Sequence, residues 1–137
     1  MRLIEAARDK RTQATAKPRR YRHRPPQDDI AKVCWLMEAA TAAAFAVAVD
    51  EVRAPSRRSA AVAFARQSAM YLVHVVLRLD LSATGRLFQR DRTTAAHACR
   101  IVEQRRDDPA IDRLLDTLES VCIDLASGIL ESPQVRR

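Results

Sequence analysis

Apolar residues along this chain recur at three- and four-residue intervals, and no run alternates apolar with polar long enough to suggest a sheet. Asp28 or Asp29 is placed to N-cap a helix predicted from residue 30 to about 47. Val33, Met37, Ala40, Ala44 and Val47 share one face of it, with Trp35 expected at the edge of the core. Residues 50–58 interrupt the periodicity, because Pro55 and Ser56 stop helix and favour a turn. A second helix is predicted over about 59–79, with Val62, Ala65, Ala69, Leu72, Val73 and Val76 as its buried stripe. Gln67, Tyr71, His74 and Arg78 fall on a different face of that helix, a polar stripe long enough to run beside a phosphate backbone.

Beyond it, Ser82 is read as the cap of a short helix ending near Phe88, followed by a Gln89-Arg90 turn. Asp91 stands where the N-cap of the next helix belongs. Thr93 and Thr94 open that helix, and Ala95, Ala96, Ala98, Cys99, Ile101 and Val102 carry it to about residue 106. Short helix, polar turn, capped helix is how a helix-turn-helix presents the first turn of its recognition helix to a DNA groove. Asp108-Pro109 starts a last helix by the rule that favours a cap followed by proline. Ile111, Leu114, Leu115, Leu118, Val121, Cys122, Leu125 and Ile129 give it a wide apolar face, which either closes the core or pairs with a second copy or a protein partner.

Composition supports an all-α reading. The 137 residues include two glycines and many alanines, and aromatics make up 4%, so Ala, Leu and Val must do the packing. The net charge is +7, concentrated before Pro25 and again around residues 53–66 and 78–106, the electrostatic footprint of a nucleic-acid-binding domain. Residues 1–27 carry prolines among like charges and read as a flexible basic arm, which either lies along DNA or simply aids solubility. Residues 131–137 read as a frayed tail. Cys34, Cys99 and Cys122 are odd in number and widely spaced, so buried reduced thiols are expected rather than a disulfide framework or a zinc site. No signal-peptide core opens the chain, and the Ala-rich run over 39–49 is too short to span a bilayer.

The order Arg-Asp-x-Thr-Thr-x-x-His-Ala-Cys-Arg, at residues 90–100, resembles the signature of the C-terminal, duplex-binding domain of the bacterial replication initiator DnaA. Upstream, Ala65-Arg66-Gln67-Ser68-Ala69-Met70-Tyr71-Leu72 is similar to that family's long second helix. Leu81-Ser82-Ala83-Thr84-Gly85-Arg86-Leu87-Phe88 is similar to the first helix of its helix-turn-helix. The likeness covers about residues 45–104. Two departures bear on the site. Arg92 stands where the family usually has His, and the turn is shorter, with Gln89 where the family tends to have two glycines.

Candidate contacts follow from both sources. A helix N-terminus attracts phosphate, and Thr93 and Thr94 add hydroxyls there; a threonine methyl also suits a thymine methyl. Arg92 has the reach for guanine, and Asp91 caps the helix. The resemblance adds a cytosine contact for Asp91, a minor-groove role for Arg58 with Arg57 one position away, and phosphate contacts for Arg66 and Gln67. Arg90 and His74 complete the candidate set. His97 either donates to a phosphate or is an ordinary solvated helix residue. No nucleophile–base set surrounds the histidines, and no Gly-x-x-x-x-Gly-Lys-Ser/Thr loop is present, so neither catalysis nor nucleotide binding is expected.

The resulting expectation is an all-α protein of about five helices with a TrpR-like helix-turn-helix. It comprises an arm over 1–27, a DnaA C-terminal-like domain over 28–130 and a tail over 131–137. It would be cytoplasmic and nucleoid-associated, with double-stranded DNA as partner and no cofactor or membrane. It would act in transcription regulation or replication initiation at sites like those of DnaA. The rival is an adaptor that recruits a protein through the last helix, with DNA binding secondary.

Overall fold

A computed structural model describes residues 28–55 and 59–130. The basic arm, the tail, and the candidates Arg57 and Arg58 lie outside the described residues. Six helices in chain order make up this part: α1 (Asp29–Ala44), α2 (Val49–Arg53), α3 (Ala60–Leu77), α4 (Leu81–Leu87), α5 (Arg92–Arg105) and α6 (Pro109–Leu130). Among the described residues the fold is all-α, as the periodicity indicated.

Short polar side chains open five of the six helices by taking otherwise unpartnered N–H groups, and α2 starts from Ala48 without one. Asp28 accepts from the Ile30 N–H at 3.0 Å, Ser59 from Val62 at 3.2 Å, Asp91 from Thr94 at 2.8 Å and Asp108 from Ala110 at 2.9 Å. One cap differs from expectation. Asp80, not Ser82, starts α4, its Oδ1 accepting from the Ala83 N–H at 2.7 Å.

α1 also stops three residues earlier than its apolar pattern suggests. Ala46 takes a left-handed conformation at φ 55°, and the Val47 N–H reaches back to the Ala42 carbonyl at 3.0 Å. That is a Schellman closure made without glycine, and therefore without a sequence signal. Its buried face is correspondingly rotated to Val33, Cys34, Met37, Glu38, Thr41 and Ala42, while Ala44 is exposed. The expected break at 50–58 contains α2, a single helical turn pinned by Val52 against Ala42 and Ala65. Local pattern could not reveal it, because five residues are too few to show a period.

α3 is the hub and packs against each of the other five helices. It is apolar and long enough to cross a membrane by length and composition alone. Here it is wrapped, with ten of its residues buried, and its apolarity is that of a core helix. α6 lays Leu115, Leu118, Cys122 and Ala126 against α1 and α3, closing the core. Each fully buried Leu or Val there contributes about 1.5–3 kcal/mol of burial free energy. Val121 and Ile123 of α6 remain exposed. The three cysteines are free and buried; burial pushes the Cys99 thiol up to about 11 and that of Cys122 to about 12, and raises Cys34 further.

Candidate nucleic-acid interface

α5 is cemented by one face and leaves the other open. Ala95, Ala98, Cys99 and Val102 are buried against α3 and α4, while Thr93, His97, Arg100 and Gln104 are exposed along the opposite side. At its amino end Asp91, Arg92 and Thr93 all face solvent. Thr94 is half-buried, with its N–H taken by Asp91. That hydrogen bond, with help from the Thr94 hydroxyl, holds the Asp91 carboxyl below the ordinary aspartate range. The cap is therefore anionic near neutral pH.

The turn that feeds α5 has a specific build. Gln89 is left-handed at φ 56°, and the Arg90 N–H returns to the Gly85 carbonyl at 2.8 Å. This closes α4 as a Schellman turn with glutamine where glycine is usual. The glycine is needed one turn earlier. A Cβ on Gly85 would meet the Arg90 carbonyl oxygen at 2.7 Å and that of Asp91 at 2.8 Å. Gly85 was not among the candidates; its signal was a glycine inside a seven-residue helix of a chain that has only two.

An open groove of about 310 Å³ runs between α3 and α5. Arg66, Gln67, Arg90, Thr94 and His97 all line it, so the fold brings five of the sequence candidates to one concavity beside the exposed tip of α5. Their availability differs. Arg66 is 8% exposed and donates from Nε to the Val52 carbonyl at 2.8 Å and from Nη2 to those of Glu51 and Ala54 at 3.0 Å. Here its guanidinium serves the carboxyl end of α2, where orphan carbonyls and the helix dipole favour a cation. Arg90 is half-buried and donates from Nη2 to the same Ala54 carbonyl at 3.2 Å. Gln67 is half-buried and His97 exposed.

His74 is not brought to this groove. Its Nδ1 lies 2.6 Å from the Leu79 carbonyl in the loop just after its own helix, and Tyr71 beside it is buried, which interrupts the expected polar stripe. Other arginines of the basic segments are also engaged by protein. Arg53 pairs with the buried Glu38 at 3.4 Å, donates to the Trp35 carbonyl at 2.8 Å and sits over the Trp35 ring. Arg106 bonds Asp112 and Asp116 and faces the Tyr71 ring. Arg105 covers Phe64. The charge that α5 can offer a polyanion is therefore that of the exposed Arg92, Arg100 and Arg105 and of the helix terminus. Among the described residues no three His, Cys, Asp or Glu side chains gather as metal ligands.

Residues 36–102 match the family described as bacterial dnaA protein helix-turn-helix. The chromosomal replication initiator protein DnaA of Caulobacter sp. (strain K31) is 42% identical over 64 residues, which is 45% of this chain and 13% of that relative. A solved structure titled as a DNA replication initiation factor superposes with a TM-score of 0.63 at 29% identity, covering 70% of this chain and 30% of that one. The chain thus spans a small part of the relatives it matches.

Proposed function

We propose that this protein, whose residues 36–102 match the bacterial DnaA helix-turn-helix family, reads duplex DNA in a sequence-specific way through the amino end of α5. The observation that carries the reading is the exposure of Asp91, Arg92 and Thr93 on the first turn of a helix whose far side is locked into the core. Arg92 and Thr93 meet base edges in the major groove, Arg92 by its bidentate fit to guanine. Thr94, Gln67 and His97 hold phosphates along the groove between α3 and α5, and Arg58, or Arg57 one position before it, reaches the minor groove. Asp91 holds the helix end in place, and its anionic carboxylate accepts from a cytosine amino group. The role is regulation of replication initiation or of transcription at sites related to those DnaA binds, in the cytoplasm at the nucleoid.

Selection of bound duplexes from a random pool, at fixed and stated salt, tests this. One enriched short motif is expected, with affinity falling steeply as salt rises. Arg92→Ala should lower affinity for the enriched duplex by about 1–3 kcal/mol and relax the preference at one position. A pool that shows no enrichment, or an Arg92→Ala loss that is equal on every duplex, overturns the reading.

A further inference from the structure

We propose that Arg90 is a positioning residue: its tie to the Ala54 carbonyl fixes the orientation in which the turn presents Asp91, Arg92 and Thr93. This rests on the DNA-reading function proposed above, and it removes Arg90 from the set that touches DNA.

Three observations converge on it. Arg90 crosses from the helix-turn-helix to the end of α2, thirty-six residues away in sequence, and its Nη2 donates to Ala54 at 3.2 Å. The same carbonyl already takes Arg66 Nη2 at 3.0 Å, and Arg66 also holds Glu51 and Val52. Two guanidiniums from different parts of the fold thus meet on one carbonyl at the negative end of α2. The turn is otherwise held by its neighbours on α4 and by the cap of α5. Its closure is the local bond from the Arg90 N–H to Gly85, made through a left-handed Gln89. With the body of α5 packed against α3 and α4, the Arg90 side chain adds a tie from the turn to the end of α2 that holds the first-turn side chains in place. Base readout needs its side chains held to within roughly 0.5 Å, so a tilt of the tip degrades discrimination before it degrades general attraction to DNA.

Arg90→Ala in the full chain tests the tie through three readouts: amide exchange over residues 89–94 without DNA, affinity for the selected duplex, and the salt slope on an unrelated duplex. Faster exchange is expected at these amides, with affinity for the selected duplex roughly tenfold lower and the slope on the unrelated duplex unchanged. Added to Arg92→Ala, the change should cost less than about threefold, because both act on one contact. Unchanged exchange overturns the proposal. So does an additive loss accompanied by a slope smaller by about 0.9, the mark of a phosphate contact. A cooperative melt shows that the variant folds; if it is lost, Arg90→Gln, too short to span to Ala54, replaces it and must give the same pattern. If the unmodified protein prefers no duplex, the DNA reading fails, and the exchange result still decides whether Arg90 holds the turn.

Discussion

Gly85→Ala sets two physical arguments against each other. Gly85 lies within α4, where helix propensity alone makes alanine better by about 0.8–1.0 kcal/mol. Packing gives the opposite sign. The new Cβ would stand 2.7 and 2.8 Å from two backbone oxygens of the turn, where ordinary contact begins at 3.4 Å. The turn must retreat by about 0.6–0.7 Å, and overpacking of this kind costs about 1–3 kcal/mol. It cannot retreat freely, because the Arg90 N–H is bonded back to Gly85 and Asp91 caps α5. With both effects counted, the net loss is about 1 kcal/mol, which lowers Tm by about 4–8 °C in a domain of this size. The effect on DNA should exceed the effect on stability, since the displaced atoms carry the tip of α5. Thermal unfolding, together with affinities for selected and unrelated duplexes, measures both. A variant that melts at or above the parent temperature and discriminates as well would refute the close-approach argument.

Two further outcomes probe the interior. Arg66→Met should destabilise the DNA-free protein by about 3 kcal/mol or more in urea, because three carbonyls lose a charged donor; an unchanged midpoint would return Arg66 to the role of a surface phosphate contact. Glu38 is buried beside Arg53, and desolvation pushes its carboxyl up to about 7 from an ordinary 4.5. Its folded-state pKa is thus raised, so its contribution is fully present below about pH 4.5 and lost as pH rises through 7, an effect on the order of 3 kcal/mol. Glu38→Gln should flatten that part of the stability profile between pH 4.5 and 7.5, and an unaltered profile would show that Glu38 is not the titrating group.

The chain's own periodicity and punctuation were enough for the longer elements. The Asp28-Asp29 pair, Asp91 and the Asp108-Pro109 pair mark helix starts that the structure keeps, because a cap acts on its own first turn and needs no distant partner. The turn between α4 and α5 was legible for the same reason, and with it the helix tip at Asp91, Arg92 and Thr93. α2, the rotated face of α1 and the closeness of Gly85 to the turn were not legible. Each depends on what another segment brings against it.

Charge shows the same division most clearly. Sequence alone determined that the protein is basic, helical and built around a capped helix after a polar turn, since composition and local hydrogen bonding are properties of neighbours along the chain. Only the tertiary structure decided which arginines face outward. Arg53, Arg66, Arg90 and Arg106 point to carbonyls, carboxylates and rings of the protein itself, while Arg92 and Arg100 remain in solvent. A guanidinium is long enough to reach either direction, and the partner that claims it can lie many residues away. Its role is therefore fixed by packing, not by its place in the sequence.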